Sequence, residues 1–215
     1  MSETLSTLTR QRTPEHLVRT AERLFAERGI TAVSLRQIVA AAGHKNPAAV
    51  QYHFGSKEGL LRAIVEFRAG HFNARRIEML QALRDDERGD LRGVVEAVVL
   101  PFAQDEPPGS YYVRFLAQLS AHPTDLGRVF GSLDEDFGLS VQLLKKELDR
   151  HLDHLAPRIR WNRVAMAMSL AVHALADRQA ALSRDENLVP DDQMFVSDLI
   201  DATVGLLSAR STVDE

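Results

Sequence analysis

Apolar positions recur at helical spacing along almost the whole chain. The first apolar stripe faces one side of a helix and consists of Leu17, Ala21, Leu24 and Phe25. Pro14 suits a first helical position, and Gly29 is typical of the residue that ends a helix. No alternating pattern persists beyond a few residues, so strands are not expected. The pattern predicts an all-α protein.

Capping residues divide the next part of the chain into two short helices. Ser34 is a good N-cap for a helix that extends to Ala42. After a turn that contains Gly43, an N-cap asparagine and a first-turn proline, Asn46-Pro47, favour a third helix that ends near residue 54. Two short helices joined by a glycine-containing turn are typical of a helix-turn-helix.

Longer helices follow. Ser56 caps a fourth helix that is expected to continue to about Arg84, with a bend predicted at Gly70 because glycine is a weak helix former. Prolines and glycines then separate further apolar stripes. These stripes predict helices at about 89–104, 110–121, 124–152, 158–184 and 191–209.

Composition narrows the class of protein. The chain has 215 residues and no cysteine, which excludes disulfides, thiolate zinc sites and a cysteine nucleophile. The N-terminus lacks the apolar core of a secretory signal, and the longest nearly apolar run, 164–176, is too short to span a membrane. We therefore expect a cytoplasmic protein that is not embedded in a membrane.

The charge is unevenly distributed. Residues 1–78 contain 12 Lys and Arg against 7 Asp and Glu, whereas residues 79–215 contain 14 against 23. A basic N-terminal part is what a polyanion binder requires, because each neutralised phosphate releases counterions. A chance asymmetry would look the same, so the charge alone leaves both interpretations open.

A helix-turn-helix places its second helix in the major groove of DNA. Asn46 and Gln51 have side chains that can pair with adenine, Lys45 can reach guanine, and Ala48 can contact a thymine methyl group. Val50 and Phe54 would anchor this helix in the core. The chemistry of the segment therefore fits base recognition.

The same residues carry a family resemblance. The stretch TAERLFAERGITAVSLRQIVAAAG, followed by AAVQYHFGSKEGLLRAI, resembles the DNA-binding domain of the TetR family of transcriptional regulators over residues 14–65. The resemblance implies an all-helical homodimer with three N-terminal DNA-binding helices, a long fourth helix and a helical body that binds a small ligand. The Ser/Thr-rich composition of residues 1–13 predicts a disordered tail, and the resemblance implies the DNA-binding domain at 14–60 and the regulatory and dimerisation domain at 61–210.

The resemblance and the side-chain chemistry together predict a set of DNA-contacting residues. These are Thr31, Ser34, Arg36, His44, Lys45, Asn46, Ala48, Gln51, Tyr52, His53 and Lys57. Ser34 could instead act only as a cap, Arg36 could be only solvated, and His53 could pack against the first helix. Two departures from the family pattern concern the turn from Gly43 to Pro47, which is one residue longer than usual, and Gln51, which replaces a frequent tyrosine.

Candidate ligand-binding residues lie among the aromatic residues and histidines of the body. The predicted set is Tyr112, Phe115, Phe137, Trp161 and His173. At helical spacing the same residues could form plain core. The pair His151 and His154 could bind a metal, but a site needs three converging ligands, so a solvated helix face is expected instead.

The last two predicted helices have apolar faces that the resemblance assigns to a dimer interface, with burial inside one protomer as the alternative. These faces comprise Val164, Met168, Ala171, Leu175, Ala176, Leu182, Phe195, Leu199, Val204 and Leu206.

The predicted function is a one-component transcriptional regulator, usually a repressor, without catalytic residues, metal or cofactor. Its partners would be a palindromic double-stranded DNA operator, a second copy of the chain and a small hydrophobic effector. The motifs G-x-S-x-G, H-E-x-x-H and G-x-G-x-x-G do not occur in the sequence. Two alternatives remain: a helical ligand- or metal-binding protein without an operator, and a DNA binder without sequence preference.

Overall fold

The computed structural model describes residues 2–44, 46, 48–85, 89–104, 109–131, 135–184 and 191–212, without the side chains of 2–13, 84–85, 131 and 135–137. These residues form helices and connecting segments and contain no strand, so the all-α prediction is confirmed. The helices are α1 (Ser2–Arg28), α2 (Leu35–Ala41), α3 (Ala49–Phe54), α4 (Lys57–Asp85), α5 (Leu91–Gln104), α6 (Tyr112–Ser120), α7 (Pro123–Gly131), α8 (Glu135–His151), α9 (Pro157–Leu182) and α10 (Asp192–Ser208). Within them, no helix combines the length and the apolar character that a bilayer requires.

Two helix boundaries differ from the sequence prediction. Where the sequence predicts a disordered tail over 1–13, the structure continues α1 back to Ser2 and keeps Pro14 inside the helix. Over the single helix predicted at 124–152 the structure describes two helices, α7 and α8, and positions 132–134 between them lie outside the described residues. Gly127 and Gly131 each lower helix propensity by about 1 kcal/mol relative to alanine, and α7 ends at the second of them.

The chain divides into two compact units, and neither is the single stretch that the predicted boundary at residue 60 implies. Unit 1 comprises Met1–Ala69 and Gly109–Leu133, whereas unit 2 comprises Gly70–Pro108 and Asp134–Glu215. α4 remains helical through Gly70, and the division between the units falls at this residue.

Unit 1 is built on the apolar stripe of α1. α6 packs along α1, and the Phe25 and Phe115 rings lie 6.3 Å apart in its core. A buried ion pair crosses this core, because Glu22 of α1 accepts hydrogen bonds from Arg68 Nε at 2.8 Å and from Arg68 Nη2 at 2.9 Å. The same carboxylate accepts from the Tyr111 backbone N–H at 2.7 Å and from the Ser110 hydroxyl at 3.3 Å. The start of α6 is thereby bonded to α1.

Unit 2 packs α5 against α8, α9 and α10, with α9 and α10 adjacent. α5 supplies a run of buried aliphatic residues, and α9 and α10 supply small or branched ones such as Ala167, Ala171 and Thr203. Alanines allow these helices to approach closely, and the small side chains leave space between the helices.

Candidate nucleic-acid interface and ligand cavity

A capping box begins α2. The Ser34 hydroxyl accepts from the Gln37 backbone N–H at 3.3 Å, while the Gln37 side-chain oxygen accepts from the Ser34 backbone N–H at 2.8 Å. Two N–H groups that have no partner inside the helix are thereby satisfied. Ser34 therefore has the capping role that the sequence predicts, and its side chain stays exposed next to exposed Thr31 and Arg36.

The turn between α2 and α3 is set by glycine and asparagine. Gly43 has a φ of 67°, a backbone conformation that residues with a Cβ atom rarely adopt. The Asn46 side-chain oxygen accepts from the Ala48 backbone N–H at 2.9 Å, but the N-cap of α3 is Ala48 and not Asn46 as predicted, because α3 begins at Ala49. Lys45 and Pro47 lie outside the described residues, so the predicted guanine contact of Lys45 stays a prediction.

α3 is buried on one side and exposed on the other. Ala49 and Val50 face the core of unit 1, whereas Gln51, Tyr52 and His53 are exposed. The exposed fraction of Tyr52 is 81%, and its ring meets that of His53 edge to face at 5.0 Å. His53 does not pack into the core, so the structure favours the interpretation in which its side chain is exposed.

His44 is placed differently from the other predicted contacts. Its ring is 6.3 Å from the exposed His16 ring of α1, and its Nε2 atom is buried without a hydrogen-bond partner among the described residues. His44 as a whole is half-buried, and its predicted DNA contact stays a prediction.

Lys57, which is predicted to contact a phosphate, also has hydrogen-bond partners within the protein. Its ammonium donates to the backbone oxygens of Ile30 and Val33, the latter at 2.7 Å. Burial lowers the pKa of Lys57 below its ordinary value, and the negative charge of Asp125 partly opposes this shift. The only sign of these internal contacts in the sequence is the position of Lys57 at the start of a helix, where the helix dipole disfavours a positive charge.

Unit 2 contains a small apolar cavity of about 20 Å³. It is lined by Val94, Val95, Val98, Leu144, Leu148, Val164, Ala167, Met168, Ala171, Thr203 and Leu207. The Thr203 hydroxyl donates to the Leu199 backbone oxygen at 2.7 Å, which leaves the lining without a free polar hydrogen. The cavity has room for about one water molecule, and its volume is far below the several hundred Å³ of a site for a drug-sized molecule.

The residues predicted to bind the ligand do not line this cavity. Tyr112 and Phe115 belong to the buried core of unit 1, with their rings stacked at 6.2 Å. Trp161 and His173 are exposed on α9, where His173 Nδ1 lies 2.9 Å from the Ser169 backbone oxygen. The Phe137 side chain lies outside the described residues. Aromatic residues stood out in the sequence, whereas the cavity is formed by aliphatic residues without a distinguishing pattern.

The histidine pair of the body is not assembled into a metal site in the part of the chain described. His151 ends α8 half-buried, and His154 is exposed in the following turn. No group of three or more metal-ligating side chains occurs among the described residues. Burial, together with the positive charge of Arg150, lowers the pKa of His151 below its ordinary value.

The apolar faces predicted for dimerisation are only partly buried within the protomer, and Leu182 among them is 48% exposed. Ala171, Leu175, Ala176 and Leu199 are buried within the protomer, and Val164 and Met168 line the cavity. A different stripe on α9 is exposed, at spacings of four and three positions. It consists of Met166, Leu170 and His173 and is called the α9 stripe below.

The N-terminal and C-terminal parts of the chain each match a known family model. Residues 17–64 match the family model of bacterial regulatory proteins of the tetR family, and residues 92–205 match that of the tetracyclin repressor-like C-terminal domain. The two matches together cover most of the 215 residues. A comparison with curated proteins gave no significant match.

A solved structure shows the same fold. A structure from Rhodococcus sp. assigned to the TetR family is 15% identical and covers 90% of this chain and 99% of its own, with a TM-score of 0.50. TetR-family regulators from Pectobacterium atrosepticum (24% identical, covering 94% and 97%, TM-score 0.40) and Streptomyces coelicolor (22%, 93% and 96%, TM-score 0.43) are also similar. With its helix-turn-helix and helical C-terminal domain, the chain belongs to the TetR family, whose members are DNA-binding transcriptional regulators and not enzymes.

Proposed function

We propose that the protein is a cytoplasmic transcriptional repressor that binds a palindromic DNA operator as a homodimer and is released from it by a small apolar ligand. Membership of the family supports the general role, since these regulators bind operators and typically dimerise. The details are proposed from the geometry of each unit separately.

The exposed side of α3 is the observation that carries the DNA-binding proposal. Gln51, Tyr52 and His53 are held outwards because Ala49 and Val50 are buried on the other side of the same short helix. Gln51 would contact base edges, with an adenine pair as its best geometry. Thr31, Ser34 and Arg36 would contact the phosphate backbone of the DNA. Asn46 and Ala48 would lie at the edge of the major groove.

Dimerisation is proposed through the α9 stripe. Met166 is 45% exposed and Leu170 is 37% exposed, and both lie on the same helical face as His173. Large apolar side chains aligned on an exposed face gain free energy when a second copy covers them. A two-fold dimer would present two α3 helices, which is what a palindromic operator requires.

The cavity of unit 2 supports an uncharged, apolar ligand. Its lining contains no charged side chain, and its single hydroxyl already donates a hydrogen bond. Because about 20 Å³ cannot hold such a ligand, binding requires the helices around the cavity to separate. A ligand that binds only the widened state shifts the population of the protein towards that state.

Selection of fragmented genomic DNA by the purified protein tests the proposal. A few enriched fragments that share a palindrome are expected. Recovery that is uniform over the genome, and unchanged by scrambling the sequence, would instead support a binder without sequence preference. Stoichiometric metal in the purified protein, with no DNA recovered, would support the helical metal-binding alternative.

A further inference from the structure

The cavity of unit 2 is not equally well covered on all sides. Its lining residues come from α5, α8, α9 and α10. Those of α5 and α10 are all buried, whereas α8 and α9 contribute three lining residues that are half-buried. These are Leu144 of α8 and Val164 and Met168 of α9. Solvent therefore comes nearest to the cavity between α8 and α9, a place called the α8–α9 seam below.

The helices on the two sides of this seam are loosely packed against each other. α5 packs closely against α8, α9 and α10, but α8 and α9 are not a closely packed pair in the part of the chain that the structure describes. On the side of α8 that carries Lys145, Gly138 lies two turns earlier, and a Cβ atom at Gly138 would meet nothing within 4 Å. Separation of α8 from α9 therefore breaks fewer close contacts than separation of either helix from α5.

One end of the seam is held by polar contacts, near the turn that joins the two helices. Asp149 of α8 accepts hydrogen bonds from Lys145 Nζ at 2.7 Å and from Arg160 Nη1 of α9 at 2.8 Å. These hydrogen bonds lower the pKa of Asp149 below its ordinary value, so its carboxylate keeps its charge at neutral pH. The Lys145 ammonium also lies 5.3 Å from the centre of the Trp161 ring of α9. These four residues are called the polar clasp below.

The seam continues from the polar clasp towards its other end. Val141, four residues before Lys145 on α8, and Ala165, four residues after Trp161 on α9, lie beyond the clasp, and both are exposed. Met168 follows one turn further along α9. Among the residues that line the cavity, Met168 is the one with a long unbranched side chain, which changes rotamer more easily than the branched side chains around it.

We propose that the α8–α9 seam is the entrance to the ligand cavity and that Met168 is its gate. α8 moves away from α9 about the polar clasp, and the Met168 side chain moves aside so that an uncharged aliphatic molecule passes between the helices. The proposal rests on the proposed function, in which the helices around the cavity must separate. It adds which helices separate and which class of molecule enters, since the half-buried residues at the seam are aliphatic like the rest of the lining.

The entrance stays accessible in the proposed dimer. Trp161, Ala165 and Met168 form a row along α9 at spacings of four and three, as the residues of the α9 stripe do. At about 100° per residue, the two rows lie about 140° apart around the helix. A second copy that covers the α9 stripe therefore leaves the seam free.

A crosslink across the seam tests the entrance. The chain contains no cysteine, so Val141→Cys combined with Ala165→Cys introduces the only two thiols. Both positions are exposed, and neither lines the cavity. A short bismaleimide joins the two thiols, and the same variant with each thiol capped by N-ethylmaleimide is the control. Binding of an uncharged straight-chain alkanol that ends in a trifluoromethyl group is measured by fluorine NMR.

The crosslinked protein should bind this alkanol about tenfold more weakly than the capped protein, or weaker still, because the two helices can no longer separate. Equal binding by the two forms would overturn the proposal. Ala171→Leu, which fills the cavity, distinguishes this failure from that of the proposed function. If Ala171→Leu loses the alkanol while crosslinked and capped proteins bind it equally, only the entrance is disproved. Binding that is absent from the wild type, or kept in Ala171→Leu, would disprove the cavity as the ligand site itself.

The kinetics of alkanol exchange test the gate. Met168→Ile keeps a large apolar side chain but stiffens it, because a β-branched residue has one strongly preferred χ1 rotamer in a helix. Association and dissociation should both slow by about threefold or more, while the dissociation constant changes by less than about twofold. Val94→Ile, on the buried α5 side of the cavity, is the control and should weaken binding without slowing association. A Met168→Ile variant with an altered dissociation constant and the association rate of the wild type would show that Met168 only lines the cavity.

Discussion

The buried carboxylate of Glu22 is the contact whose removal has the largest predictable cost. Its exposed fraction is 1%, and that of its partner Arg68 is 6%. Glu22→Gln keeps the shape of the side chain and one acceptor for the Tyr111 N–H. It also replaces the oxygen that faces Arg68 Nε, at 2.8 Å, with an amide that can only donate. The guanidinium is then left buried without its counter-charge.

The expected loss of stability follows from this geometry. Removing one partner of a buried ion pair destabilises a protein by about 3–5 kcal/mol, because the remaining charge stays desolvated. Domains are stable by about 5–15 kcal/mol, so Glu22→Gln would remove a large share of the free energy of unfolding. The melting temperature should fall by roughly 10 °C for a chain of this length.

Urea unfolding followed by circular dichroism at constant protein concentration measures this loss. Glu66→Gln is the control, because Glu66 pairs with Arg62 at 3.4 Å on an exposed helix face, where such pairs contribute about 0.5 kcal/mol or less. A free energy of unfolding for Glu22→Gln within about 1 kcal/mol of the wild-type value would refute the argument, since a buried guanidinium without a counter-charge should destabilise the protein by more than that. The paired change Glu22→Leu with Arg68→Met should be far milder than either single change.

Other expected outcomes concern the remaining proposals. Met166→Asp should convert dimer to monomer in analytical ultracentrifugation, whereas Leu139→Asp, which is equally exposed on α8, should not; a dimeric Met166→Asp protein would disprove the α9 stripe as interface. Ala171→Leu should fill the cavity and abolish the effect of an inducing ligand while operator binding is kept, and a retained response would place the ligand elsewhere. The pKa of His151 is lowered in the folded state, so the unfolded chain binds more protons than the folded chain below pH ~6.5. The free energy of unfolding should therefore fall on acidification from pH 7 to 5. In the His151→Asn variant it should depend less on pH over that range. Gln51→Ala should change which base is preferred at one operator position in a binding selection, and an unchanged preference would remove Gln51 from the base contacts.

Much of the helix pattern was predictable because local chemistry determines it. Ser34 caps α2 as expected, and Pro157 opens α9 within a residue of its predicted start. Within the helix predicted at 124–152 the structure describes α7, which ends at Gly131, and α8, which begins at Glu135; glycine weakens a helix without ending it in a predictable way. The tail before Pro14 was expected to be disordered, but helix α1 continues through the proline.

The site was less predictable, because its contacts join residues far apart in sequence. The Lys57 ammonium meets carbonyl groups 24 and 27 residues earlier, and no local pattern encodes that distance. Phe115 looked like a pocket residue because buried aromatics in core and pocket have the same helical spacing, and only the packing of α6 on α1 assigns it to the core. The cavity was missed because valine, leucine and alanine at helical spacing occur in every helical core.

The composition of unit 1 from two separated segments limits how such a protein can be recombined. A fragment that stops at Ala69 would lack Phe115 and Leu119, which are fully buried, and would leave the Glu22 carboxylate without the Ser110 and Tyr111 donors. A chimaera that joins this DNA-binding head to a foreign ligand-binding body therefore needs three crossover points, near residues 69, 109 and 133, and not one. Exchange of heads by a single recombination event would leave the head with an incomplete core. Substitutions in α6 are therefore constrained by its packing against α1 and not by the ligand.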